Sequence, residues 1–588
     1  MKVMKTIYNV KTLCVLTMLA VAGTIQAQED NLKRELTLER EYDPSVQDAN
    51  KINTLPEVKQ PDIKKTAIEY ATQTVPTDPK TEISILPSGK IMTDILYNKH
   101  RGYFNVGVAT NLNINGDFGY HILNTKHDKL NLFFSHRSSS DERTFLQGDD
   151  LKQDVHMNDN LGGLNYQHHF GKSELKLGVR YGYSSFNYFG FNDSLQFAEP
   201  VRFSKDTKQV NQQIGFNAGI ESEEGAALGY LLDFDYINFS HKYGLVEDID
   251  GIKENTIGVK AGMNALFGGN QSIGVLGKLE YLNYSLPTGI EDLEFENHAE
   301  ITLTPYYTVE GDIWKIKLGA NVMFVTGKHD KLFASPNIKA DVTVADKTVL
   351  YLDADGKLES NSAYELSLRN RYVNPWEDVR PSRTWLDGKV GLKSGVAPGF
   401  WFDVFAGYKA TDEDVLFSQI IEHNYINYSK ANYFNTKNFF AGATLKYDYQ
   451  DQIEFTLQGV FNNWTVNEEK ESGNFTGKIP AFGRPKAEIT STIDVRPIDK
   501  LTISAKYYLA TGREGLFEAP YVGLVEMYNK TISKMDNINE LNVTGLYAVT
   551  SNVGVYGQLN NLLFQKYDLY YGYPTQGFNV MVGVNINF

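Results

Sequence analysis

The sequence of 588 residues holds one cysteine, Cys14. It lies inside an N-terminal stretch that reads as cleavable, so the mature chain is expected to have no disulfide and no thiol chemistry. Tryptophan is scarce, with 5 residues against 36 tyrosines and 33 phenylalanines. Mean hydropathy is −0.35, so nothing argues for transmembrane helices. Basic residues are outnumbered, giving a formal charge of −15, which argues against nucleic acid as a partner. Several chemical signatures are also missing: there is no G-x-S-x-G, no H-E-x-x-H and no P-loop. No cofactor or metal is expected, and no enzyme.

Residues 1–27 read as a secretory signal. Lys2, Lys5 and Lys11 supply the basic region, 13–21 the apolar region, and Ile25-Gln26-Ala27 a cleavage site before Gln28. The apolar region is too short to span a bilayer. Cleavage after Ala27 removes three lysines and no acid, so the mature formal charge becomes −18. Residues 28–97 form a second unit. Six of the 18 prolines fall there, among them Pro44 and Pro56, and there is no Phe or Trp. Prolines at that density block sustained helix or central strand and favour an extended chain. One reading is a solvated periplasmic linker. The other is a rope that enters a lumen or docks to a partner, for which Tyr42, Ile52 and Leu55 are among the scattered apolar points.

The third unit, 98–588, is organised around its last stretch. Phe578, Val580, Val582, Val584, Ile586 and Phe588 alternate with small or polar residues, as in a strand with one apolar and one wet face. In a soluble sandwich such a terminal strand would leave an edge to be covered. In a closed membrane barrel it pairs with the first strand, and these six residues become the barrel-closing strand and assembly signal. Lipid and barrel-assembly machinery are the partners this implies. The same alternation recurs upstream, as in Trp314, Ile316, Leu318, Ala320, Val322 and Phe324.

Turns and loops alternate as well. Short turns are expected near 124–128, 170–173, 221–226, 267–272, 310–312, 345–347, 395–399, 450–452, 496–500 and 549–552. Longer connections lie between them, most clearly 139–153, 187–206, 241–255, 286–296, 359–382, 410–432, 466–484, 513–537 and 566–576. Short periplasmic turns and long outer loops are the outer-membrane pattern. The fold expected is all-β: a transmembrane antiparallel barrel of about 22 strands, both ends periplasmic, with about 22 residues for each strand and its connection.

Few residues suggest a binding site. Asp248-Ile249-Asp250-Gly251 and Asp353-Ala354-Asp355-Gly356 lack the ligands of a calcium loop and read as tight turns. His168 and His169 are adjacent on a strand, face opposite ways and cannot easily share a metal. The loop aromatics are the remaining candidates for ligand or partner contact: Tyr425, Tyr428, Tyr433 and Phe434 in one loop, Phe517, Tyr521 and Tyr528 in another.

The C-terminal region carries Asn561-Leu562-Leu563-Phe564-Gln565-Lys566-Tyr567, then Gly572-Tyr573-Pro574 and Gly577, then the final strand. It resembles the barrel of TonB-dependent receptors, as does Arg369-Asn370-Arg371-Tyr372-Val373-Asn374-Pro375, which is similar to a mid-barrel loop of that family. The resemblance spans roughly 98–588 and implies a 22-stranded, plugged outer-membrane transporter. It departs from the family ahead of the barrel, where about 70 proline-rich residues stand in place of a globular plug. No plug residue carries over, which counts against TonB as a partner. Two functions follow as expectations. One is nutrient transport, with the lumen closed by the N-terminal segment or by loops. The other is a non-transporting scaffold bound to a surface lipoprotein or periplasmic protein.

Overall fold

A strand that alternates apolar and polar residues must bury one face, and its backbone must find partners on both edges. In the computed structural model these demands are met by a single ring. The structure describes residues 100–588, apart from 147–151, 190–207, 224, 246–248, 288–294, 328–330, 422–426, 451, 468–478 and 520–528. The expected signal sequence, the 28–97 segment with Tyr42, Pro44, Ile52, Leu55 and Pro56, and the aromatics Tyr425, Tyr521 and Tyr528 lie outside the described residues.

The first nineteen strands, from Gly102–Ala109 to Leu501–Thr511, each pair antiparallel with the next. Leu501–Thr511 then pairs with Ile538–Ala548, and the ring continues through Val553–Asn560 to Asn579–Asn587. Asn579–Asn587 pairs back onto Gly102–Ala109, from Tyr103↔Asn587 to Ala109↔Met581. The sheet has 24 strands. Two of them, Glu514–Ala519 and Asn529–Lys534, form a hairpin outside the ring, which leaves 22 in the barrel.

The connections sort by length. At one end they run from pairs such as 346–347 to 223–227; at the other they reach 188–207, 360–381 and 512–537. All ten expected short turns fall at the same end. The end with the long connections also has three short ones, 110–112, 326–330 and 422–426. One turn expectation fails: Asp353-Ala354-Asp355-Gly356 is no turn but part of strand Thr348–Glu359, with a register shift between Asp355 and Lys357. Gly356 lies at this irregularity because a Cβ there would meet Ser335 at 2.4 Å and the Thr384 carbonyl at 2.6 Å.

The closing strand keeps the expected alternation. Val582 stands opposite Val108, Val584 opposite Val106 and Ile586 opposite Phe104. Phe588 stacks on Phe118 and Tyr120, and Phe578, just before the strand, stacks on Phe564. On the inner face Tyr556 lies over Gly107 and Gly583, whose missing side chains make room for its ring. His168 and His169 diverge as expected: His168 Nδ1 sits 2.7 Å from Asp128, and His169 turns toward Glu174. Among the described residues no helix is long and apolar enough to cross a membrane.

Val582 is 64% exposed on the apolar outer face. Val582→Arg is expected to cost about 2–4 kcal/mol in lipid vesicles, and Val582→Leu about nothing, read from denaturant midpoints. Equal midpoints for both would place this face against water.

Candidate functional site

The strands Phe400–Ile421 and Asn427–Tyr449 have 22 and 23 residues, whereas their neighbours have 16 and 15. Their pairing runs from Phe400↔Tyr447 to Ile421↔Asn427, with an irregularity between Thr411 and Asp414. The extra residue is Glu413, held at φ 57°. Such a bulge bends a strand and increases its twist. Three side chains fix it: the Glu413 N–H donates to Asn435 at 3.1 Å, the Ser382 hydroxyl donates to the Glu413 carbonyl, and Arg383 lies 3.3 Å from its carboxylate. The sequence reading of 410–432 as a loop is therefore corrected. All of its described residues are strand, and Tyr428, Tyr433 and Phe434 are strand residues. The alternation in this stretch went unread because both faces are covered, so it lacks the apolar-out, polar-in pattern of a wall strand.

Beyond the bulge, residues 414–421 and 427–434 no longer pair with wall strands. On one edge Gln419 and Ile420 pair in parallel with Phe517 and Glu518 of the outer hairpin. On the other, Val373 of the 360–381 connection forms a bridge with Ser429. There the Ser429 N–H donates to Tyr372, and the Asn374 N–H donates to Ser429. One face packs Val415 and Ala431 against Leu366 and Val373. The opposite face packs Leu416 against Ile479, Phe482 and Leu516. Near the tip, Ile420 and Tyr428 meet Phe186, Tyr188 and Leu245. Phe186 ends the fifth strand and Ile420 belongs to the fifteenth, about half the ring away. Eight residues of strand reach about 26 Å, and the hairpin spends that length crossing the mouth.

The 360–381 connection crosses beside it. Its helix Ala363–Arg369 is capped by Ser362, which accepts from Glu365 N–H at 3.2 Å. Glu254 of the eighth strand accepts from Ala363 N–H at 2.6 Å. Further along, the Tyr188 hydroxyl donates to the Val373 carbonyl at 3.2 Å, Trp376 Nε1 donates to Asp250, and Arg371 pairs with Asp159 of the fourth strand at 2.9 Å. At the centre Tyr372 stacks on Tyr573 with centroids 4.5 Å apart, and the Phe186 and Phe189 rings meet Tyr372 edge-on. Arg143 lies over Phe189 and donates to the Pro574 carbonyl. Burial pushes the Tyr372 and Tyr573 phenols up, so both stay neutral. It also pushes the Glu377 carboxyl up to about 8.

The four predicted aromatics that are described, Tyr428, Tyr433, Phe434 and Phe517, pack into separate parts of this cap. Tyr428 and Phe517 are buried. Tyr433 donates to the Asp378 carbonyl and accepts from Arg380 N–H. Phe434 meets Phe482 edge-on, and Phe517 packs near Tyr571. The residues at the true centre, Tyr372, Tyr573, Phe186 and Phe189, were not singled out as a site. Tyr372 and Tyr573 do lie in the two stretches that carry the resemblance, R-Y-V-N-P and G-Y-P, but nothing in either stretch shows that the two rings meet. Among the described residues no group of three or more His, Cys, Asp or Glu could hold a metal ion.

No protein-family model matches the sequence, and comparison with curated proteins gives no match. Solved structures do match. The siderophore receptor PirA from Acinetobacter baumannii superposes with a TM-score of 0.60 at 9% identity, over 83% of this chain and 80% of that one. The ferripyoverdine receptor of the outer membrane of Pseudomonas aeruginosa gives 0.58 at 11%, over 83% and 72%. The copper transporter OprC gives 0.58 at 11%, over 83% and 81%. At such identities the likeness is one of fold alone: this chain shares with these proteins a large closed antiparallel β-barrel, here a ring of 22 strands.

Proposed function

We propose that this chain is an outer-membrane barrel that takes up a nutrient, and that the cap closes its lumen at rest. In this reading the signal is cleaved after Ala27, the short turns face the periplasm and the cap faces outward. Barrel-assembly machinery inserts the protein through its closing strand, and 28–97 is a periplasmic or lumenal segment. The observation that carries the reading is the hairpin spanning the mouth, with loops from around the ring packed on it. A 22-stranded lumen is too wide for wall side chains to fill, and a membrane cannot tolerate it open. Neighbours of the same fold are named as siderophore receptors and a copper transporter, which supports uptake. A second reading, a fixed subunit of a larger surface assembly, is favoured by how dry the cap is: Tyr188, Val373 and Tyr573 are almost fully buried.

Planar-bilayer conductance tests the closure. At pH 5 the mature protein is expected to be silent, a variant with 414–434 replaced by a short Gly-Ser turn to conduct in large steps, and a variant lacking 28–90 to stay silent. Conductance from the last alone would make the N-terminal segment the closure instead. Deletion of the gene separates the two readings: loss of growth on one nutrient supports uptake, and a stoichiometric co-purifying partner supports the scaffold. Tyr372→Ala should destabilise the cap by about 3–5 kcal/mol, read as faster proteolysis within 360–381 while the barrel keeps its folded gel mobility. Unchanged proteolysis would remove Tyr372 from the centre of the cap.

A further inference from the structure

The hairpin arm is bound by contacts of two kinds. Its apolar contacts are complete, but its polar contacts are not. Gln419 is 2% exposed and neither side-chain polar atom has a partner among the described residues. Glu377, on the 360–381 connection, is also buried. The Ala431 N–H of the arm donates to its carboxyl, while Oε2 has no hydrogen-bond partner. On the opposite face of the arm Ser418 donates to the buried carboxylate of Glu518. Unpaired buried polar groups cost free energy that is recovered when water reaches them. The arm is thus held by packing and loosened by its own polar groups, as expected of a segment that opens locally.

We propose that the strand segments 414–421 and 427–434 are the moving leaf of the cap and that the Glu377 carboxyl, clamped between the leaf and the 360–381 connection, is its latch. The inference rests on the closure reading above. The pivot is the bulge at Glu413, where the chain already departs from strand geometry and where Arg383, Ser382 and Asn435 anchor it to the wall side. The groups facing Glu377 fix the sign. Lys430 on the leaf favours its ionised form; Asp378 on its own loop and Glu518 beyond the leaf oppose it. The Tyr433 phenol lies close by, with Arg380 over its ring. Burial outweighs Lys430, so the closed cap holds Glu377 protonated, whereas an opened leaf exposes an ordinary carboxylate. An acid whose value is raised by closure makes closure strongest at low pH. From 4.5, the ordinary glutamate value, to about 8, opening becomes more favourable, and above that the dependence levels off.

The test is open probability in planar bilayers between pH 5 and 8.5. The full-length mature protein is expected to open more readily by about tenfold per pH unit up to about pH 8. Glu377→Gln should be flat. The same rise in Glu377→Gln, or a flat wild type beside a conducting 414–434 replacement, overturns the latch and leaves closure standing. A silent 414–434 replacement overturns closure, and the latch with it. Should Glu377→Gln fail to fold, a disulfide lock gives an independent test. Val373→Cys with Ser429→Cys, in a Cys14→Ser background, joins residues already paired across the leaf edge. Oxidised, it should stay silent at every pH; reduced, it should regain the rise. A pH-dependent rise in the oxidised protein overturns the leaf.

Discussion

Twenty-two strands joined edge to edge give every ladder N–H and C=O a partner, which is the condition for a β-structure to sit in lipid. The same closure opens a lumen that wall side chains cannot fill. Each later feature of the molecule answers one side of this constraint. The seam between Gly102–Ala109 and Asn579–Asn587 completes the ring, and apolar residues such as Val108 and Val582 turn outward. At one mouth the extended hairpin and the 360–381 connection fold over the opening rather than standing away from it.

The cap has the construction of a small protein core. The extended hairpin provides a two-sided plank, apolar on both faces, and neighbouring connections pack on each side. Tyr372 and Tyr573, from connections on different parts of the ring, provide the central stack. Polar ties such as Glu254 to Ala363 and Arg371 to Asp159 attach this core to the wall. A core built from connections of several strands can form only once the ring has placed them, so its stability depends on the barrel more than the barrel depends on it.

Much of the barrel was legible in the sequence because its physics is local. Strand alternation gave the lipid face from Phe578 to Phe588, and all ten short turns were found from breaks in that alternation. The extension of Phe400–Ile421 and Asn427–Tyr449 beyond the wall is not legible as strand because Val415 and Leu416, on opposite faces, are both buried, so no polar face marks it. Asp355-Gly356 was misread because the D-G pair that favours a tight turn also suits a bulge. The meeting of Tyr372 with Tyr573 was invisible for another reason: the two lie about 200 positions apart in the chain, and only the curvature of the closed ring brings them together. Of the aromatics expected to contact a ligand or partner, Tyr428 and Phe517 are buried and Tyr433 and Phe434 are partly buried, because composition does not say which connections turn inward.

Residues 414–421 and 427–434 are folded structure laid across the mouth and held by packing. Amide hydrogen exchange in the lipid-embedded protein tests it most directly. Amides of 414–421 and 427–434 should be protected well above those of the short connections 125–127 and 268–270, though less than the wall strands. Exchange as fast as in those turns would mean that the hairpin stands free in solvent, and would contradict the account.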